Sequence, residues 1–218
     1  MASPRTTFSQ ELRELDDQIL IMGKEAESML ENALIALAEQ NLDLAHETIN
    51  HDDIVDDMRF SIEKKCIELI ATQHPKAKDL RRIFAAIAIA SDVERVADYS
   101  VDIAKIVRRL PDKPFFKPLI DIPKMERAVA KMLREGLEGF VSRDLDLIKK
   151  VLLSDDEIDA LYEMLHDELV DFMKRDPSTI DQAVQLLFVS RYLERIADHI
   201  TNIGERVFYV ETGQVIKM

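Results

Sequence analysis

Apolar residues recur along this chain at alternating steps of three and four. The first series reads Leu12, Leu15, Ile19, Met22, Ala26, Met29, Ala33, Leu37, the one-sided seam of a long helix. A second begins near Asp52 and runs Val55, Met58, Ile62, Cys66, Leu69. It stops at His74-Pro75, because the residue before a proline is pushed out of the helical region. A third follows through Leu80, Ile83, Ile87 and Ala90 to about Leu110. No segment alternates with period two over a useful length, so no strands are expected.

Between Leu110 and Lys124 the texture changes: Pro111, Pro114, Pro118 and Pro123 are four of the chain's seven prolines. Such a stretch cannot continue a helix and behaves as a stiff connector. The two flanking halves repeat each other. Shifted by 103 residues, Met29-Leu30 falls on Met132-Leu133, Asp52-Asp53 on Asp155-Asp156, and Asp56 on Asp159. Pro75 meets Pro177 at a shift of 102, and Glu94-Arg95-Val96-Ala97-Asp98 meets Glu194-Arg195-Ile196-Ala197-Asp198 at a shift of 100. The expected fold is all-α, two tandem three-helix bundles related by internal duplication, with six long antiparallel helices. The first repeat would span 1–110, the connector 111–123 and the second repeat 124–218.

Composition agrees with long helices. Gly is 5, Pro 7 and aromatics 6%, against 47% hydrophobic residues, a balance that strands would not favour. A net charge of −13 without a basic cluster argues against a nucleic-acid partner, since a phosphate backbone is held mainly by Lys and Arg. The sign suits cations or a basic protein partner. The lone Cys66 excludes an internal disulfide and sits in an apolar stripe, as a packed thiol would. Met1 to Phe8 lacks the apolar region of a signal peptide. The longest apolar run, Ile83 to Ala90, is eight residues, short of the ~20 that cross a bilayer. A soluble, cytoplasmic chain without membrane insertion is expected; reversible docking to a membrane protein stays compatible with it.

Acidic residues then interrupt the apolar pattern. Advancing about 100° per residue from Glu94 places Leu80, Ile83, Ile87, Asp98 and Val101 within about 40° of it. Glu94 and Asp98 are therefore expected inside the apolar stripe, with Asp102 at its edge. Ile180, Ala183 and Leu187 share a stripe with Glu194 and Asp198 in the same way, and Asn202 follows. Burying unpaired carboxylates costs several kcal/mol, so arginine partners, protonation or metal ions must compensate. Arg95 and Arg195 lie about 100° around the helix from their glutamates and are not expected to turn onto the same spot. Protonation requires strongly raised pKa values. Metal ions satisfy several carboxylates together, and oxygen-rich clusters suit Mg, Mn, Ca or oxidised iron. A hairpin across Pro75 would bring Asp52 and Asp56 opposite Glu94, Asp98 and Asp102; its counterpart would bring Asp155 and Asp159 opposite Glu194, Asp198 and Asn202. The competing reading is a wide, wet acidic groove that receives basic partner residues.

Other chemistry is thin. Of the five histidines, His46, His51, His74, His166 and His199, His51 and His74 read as loop residues and His199 as a surface or supporting residue. Glu163-x-x-His166 is one copy of a di-iron bundle motif that needs two. No nucleophile elbow, phosphate-binding glycine loop or zincin motif occurs, so no enzymatic activity is expected.

Glu94-Arg-Val-Ala-Asp98, Glu194-Arg-Ile-Ala-Asp-His199, the duplication, and the ending Glu205-Arg-Val-Phe-Tyr-Val-Glu-Thr-Gly213 resemble the PhoU family over essentially the whole chain. Ala97 and Ala197 stand where many relatives have glycine. The resemblance implies a cytoplasmic helical protein that negatively regulates phosphate uptake and phosphate-starvation signalling. Its partners would be the ATPase subunit of the phosphate importer and a sensor histidine kinase. It further implies divalent or trivalent metal ions, with iron, Mn, Mg or Zn as candidates, in multinuclear clusters. The ligands would be Asp52, Asp56, Glu94, Asp98 and Asp102, and Asp155, Asp159, Glu194 and Asp198, with Asn202 a neutral counterpart of Asp102. A homodimer is expected, because the long first helix leaves apolar surface for a second chain. Alternatives are a di-metal carboxylate oxidase or ion-storage bundle, and a purely structural helical adaptor without metal.

Overall fold

The computed structural model describes residues 4–110 and 113–216. The first half contains α1 (Pro4–Glu39), the short α2 (Leu42–Asn50), α3 (Asp52–Gln73) and α4 (Ala77–Val107). The second repeats that order with α5 (Asp121–Ser142), α6 (Leu145–Leu153), α7 (Asp155–Arg175), a 3-10 turn at Pro177–Thr179 and α8 (Ile180–Thr212). The six long helices are those expected, and no strand occurs among the described residues. Among them, no helix is long and apolar enough to cross a membrane.

The sequence pattern did not announce α2 and α6. Each has nine residues, below the length at which an isolated helix holds together. Each is started by a side-chain cap and held by packing. Asn41 accepts a hydrogen bond from the Leu44 amide at 3.0 Å. Asp144 accepts from the amides of Asp146 and Leu147 at 2.9 and 3.0 Å, the usual service of Asn and Asp at a helix start. Ala45 and Thr48 of α2, and Ile148, Val151 and Leu152 of α6, are buried. Gln40, His74 and Arg143 end their helices with φ of 51°, 46° and 61°, the left-handed turn that terminates a helix.

Residues 113–120 cross from one half to the other without helix. Gln182 pins this strap: its Oε1 accepts from the Phe116 amide at 3.1 Å, and its Nε2 donates to the carbonyls of Lys113 and Pro114 at 3.3 and 3.1 Å. The Phe116 ring lies 5.0 Å from that of Phe172, and Lys117 pairs with Asp121 and Glu168. Pro114 and Pro118 belong to the strap, and Pro111 lies outside the described residues. Pro123 sits in the first turn of α5, where a missing amide hydrogen costs nothing.

One continuous core joins both halves. α4 and α8 pack against each other, and α1 and α5 flank them. The facing sides of the central pair carry Asp92 and Tyr99 on α4 and Tyr192 and His199 on α8, whereas Gly204 of α8 lies against Leu152 of α6. A polar clasp completes the union. Asp92 of α4, its side chain 9% exposed, accepts from His199 Nδ1 at 3.0 Å, Asn202 Nδ2 at 3.4 Å and Arg206 Nε at 3.1 Å, all from α8. Of the two roles expected for His199, surface or supporting, the structure gives a supporting one, a partly buried bridge between repeats, because α8 turns that side toward α4.

Candidate metal centre

The site grows from the α3–α4 and α7–α8 hairpins. The three-residue link 74–76 between α3 and α4 sets an antiparallel register in which Asp52 reaches the level of Asp98, and Asp56 that of Glu94. The charges confirm this adjacency. Burial raises the Asp52 pKa above the usual carboxylate range, with Asp98 and Asp56 adding to the effect. Glu94 is raised by burial and by Asp98, Arg95 and Arg59 pull it back, and Asp56 again raises it. The second hairpin repeats the arrangement more strongly. Asp155 is pushed up to about 6, first by burial and then by Asp159, Asp198 and Glu194. Asp159 and Glu194 are raised as well, each by burial first and then by Asp198. Two clusters thus form: Asp52, Asp56, Glu94 and Asp98, and Asp155, Asp159, Glu194 and Asp198.

Their position differs from the expected mid-stripe burial. Leu80 and Ile180 are exposed, and the truly buried residues of α4, such as Ala86, Val93, Val96 and Ser100, centre roughly 90° or more around the helix from Glu94. Helix α4 is covered over a broad arc by α1 and α8, so the Leu80–Ile83–Ile87 row marks the edge of that arc. The carboxylates lie on this flank, graded in depth: the side chains of Glu94 and Glu194 are 14% and 13% exposed, those of Asp98 and Asp198 34% and 41%.

Arginines also come closer than the angular count allowed. Arg95 Nη1 donates to Asp98 Oδ2 at 2.6 Å, and Arg195 Nη1 to Asp198 Oδ2 at 3.0 Å. The 100° count located the α-carbon, whereas an arginine stem reaches a residue three positions on. Two further arginines attend the glutamates: Arg59 Nε stands 3.7 Å from Glu94 Oε1, and Arg191 Nη1 donates to Glu194 Oε1 at 2.6 Å. They enter from opposite helices of equivalent hairpins. Arg59 of α3 corresponds to Tyr162, and Arg191 of α8 corresponds to Ser91. In the second hairpin Arg191 lies 5.7 Å over the Tyr162 ring. Beyond Arg95 and Arg195, one further guanidinium per cluster is kept, while the helix that supplies it has switched. The repeat alignment contained this exchange.

Compensation remains incomplete. Asp52 Oδ1 and Glu194 Oε2 are buried without a hydrogen-bond partner among the described residues. Oxygens of this kind, grouped with like charges, fit a hard cation. Among the described residues, no three His, Cys, Asp or Glu side chains are gathered tightly enough to enclose an ion already, as mutual repulsion and the arginine pairs dictate. Three candidates fall outside the clusters. Asp102 pairs with Lys105 at 3.1 Å, Asn202 turns to Asp92, and His166 stands 3.3 Å from Asp167.

The fold and this chemistry define a duplicated helical-bundle protein with one carboxylate cluster per repeat. The PhoU domain profile matches residues 19–107 and again 122–207. The chain is 40% identical over 98% of its length to a phosphate-specific transport system accessory protein PhoU homolog of Clostridium acetobutylicum, 98% of which is covered. It is 38% identical to the homolog of Aquifex aeolicus, over 95% of this chain and 94% of that one. The crystal structure of the phosphate transport system regulatory protein PhoU from Streptococcus pneumoniae superposes with a TM-score of 0.91 at 31% identity, covering 97% of this chain and all (100%) of that one. This chain belongs to the PhoU family.

Proposed function

We propose that this protein is a cytoplasmic regulatory adaptor that restrains phosphate uptake and phosphate-starvation signalling. It does so by contacting the ATPase subunit of the phosphate importer and a sensor histidine kinase, as a homodimer and without a catalytic step. The observation that carries the reading is near full-length similarity to proteins named as accessory to phosphate-specific transport. The outer face of the α3–α4 hairpin supports an adaptor role: Phe84, Ile67 and Phe60 are exposed there, and exposed apolar surface of this kind marks protein contacts. Deleting the gene should raise phosphate uptake and phosphate-responsive transcription in phosphate-replete cells. Unchanged uptake and transcription would overturn the regulatory reading.

Metal ions belong to this proposal. Asp52, Asp56, Glu94 and Asp98 would hold one site, and Asp155, Asp159, Glu194 and Asp198 the other. Bound cations would neutralise each cluster and fix the ends of its hairpin. Support comes from the stranded Asp52 and Glu194 oxygens and from the like-charge crowding at Asp155. Elemental analysis of protein purified without chelator tests it. Bound iron or manganese that falls in Glu94→Ala plus Glu194→Ala is expected. Less than about one tenth of an ion per chain would remove the metal and leave the adaptor.

A further inference from the structure

Helices α1 and α5 contribute nothing to the carboxylate clusters, yet they line an open groove. At one end Leu20, Gly23, Leu137 and Val141 surround a hollow of about 310 Å³. At the other, Leu34, Ile35, Ala38 and Ala130 line one of about 590 Å³. Between the hollows Glu27 of α1 pairs with Arg134 of α5, and both residues line both hollows. Charge around the larger hollow is sorted by helix. α1 presents Glu27 and Glu31; α5 presents Arg127, Lys131 and Arg134, with Glu126 the exception.

We propose that this groove is the surface through which two copies of the chain associate, about a two-fold axis running along it. This inference rests on the homodimer reading above and assigns its surface. Rotation about such an axis lays α1 of each copy over α5 of the other. Glu31 then faces Lys131 of the partner subunit, and the same contact recurs across the axis, as isologous pairing demands. Exposed Ile35 supplies apolar surface beside the larger hollow. The groove runs from Leu20 to Ala38, about 27 Å along α1. Two helix widths over that length give roughly 1,000 Å² buried in total, the lower bound for a specific interface. The dimer is accordingly weak, and salt weakens it further.

Sedimentation velocity on the full chain tests the assignment, using wild type, Glu31→Lys, Lys131→Glu and an equimolar mixture of the two variants. Both positions are exposed, so folding, checked by circular dichroism, is preserved. Wild type should dimerise at tens of micromolar, about 10–100 µM. Each variant alone should weaken dimerisation about tenfold or more, and the mixture should restore it as a heterodimer, since both contacts become attractive again. Variants that dimerise like wild type would overturn the surface and leave the homodimer reading intact. A wild type that stays monomeric at about 100 µM would overturn both.

Discussion

Arg59 and Arg191 meet the same electrostatic demand from opposite helices of their hairpins, and each is matched to what faces it. Glu194 is among the most buried of the cluster acids, so removing Arg191 leaves a carboxylate with little solvent and only Arg195 to oppose its charge. In metal-free protein at pH 7.5, Arg191→Ser should cost about 1–2 kcal/mol in urea unfolding. Adding Tyr162→Arg, which copies the first repeat, should recover part of that loss; no recovery would show that the two arrangements are not equivalent. Asp155 offers a second test. Its native carboxyl holds a proton up to about 6, whereas an unfolded Asp releases it near ~3.9. The native state binds more protons between those values, so this group contributes stability that is fully present below about 4 and lost as pH rises through about 6. With chelator present, Asp155→Asn should have a higher Tm than wild type at pH 7.5. The difference should shrink toward pH 5 in calorimetry; an equal gain at both pH values would rule out the titration. These residues were legible in the sequence to different degrees. The acids broke the apolar pattern in duplicate and were found. The guanidiniums were missed because a long side chain reaches where its α-carbon does not.

At the scale of elements, the hairpins and the long seams were readable because many turns repeat the same apolar step. α2 and α6 were not, since nine residues give too few turns for a period to emerge. Their capping residues Asn41 and Asp144 were the available signal. The place of Glu94 at the side of the buried arc was hidden for a related reason. A one-stripe reading assumes one partner, but α4 is wrapped by neighbours on several sides. α5 shows how finely the short helix is fitted. A Cβ on Gly139 would stand 2.6 Å from Ile148 Cδ1 and 3.0 Å from its Cγ1, inside a packed contact with α6. A Cβ on Gly136 would meet Ile200 Cγ2 at an ordinary 3.4 Å. Alanine favours the helix over glycine by about 0.5–1 kcal/mol, so Gly136→Ala should raise the stability by about that much. Gly139→Ala should give no gain or a loss of about 1–3 kcal/mol from overpacking. Thermal unfolding of the pair decides it, and a stabilising Gly139→Ala would mean that α6 yields without cost.

The whole molecule carries two copies of one bundle, but the core does not divide between them, because α4 and α8 pack against each other. The polar counterpart of that seam is Asp92, which has no equivalent clasp from the other repeat: the position 100 residues on is Tyr192. The Tyr192 ring stands 5.7 Å from Tyr99, and Tyr99 lies 5.9 Å from His199, so an aromatic contact and an acid–base clasp sit side by side. Asymmetry at this seam gives the duplicated chain a defined pairing of its halves. Two consequences follow from a shared core. Heat or urea should unfold the protein in one transition, with calorimetric and van't Hoff enthalpies in agreement. Asp92→Ala should lower stability by about 2–4 kcal/mol, because His199, Asn202 and Arg206 lose one common acceptor in a nearly buried place. A cycle with Arg206→Ala should return a coupling of about 1 kcal/mol, as for partners in direct contact. If Asp92→Ala instead split unfolding into two steps, the clasp and not the apolar seam would be what makes the halves cooperate. The extent of the α4–α8 contact predicts the single step, since the shared apolar core remains when the carboxylate is gone.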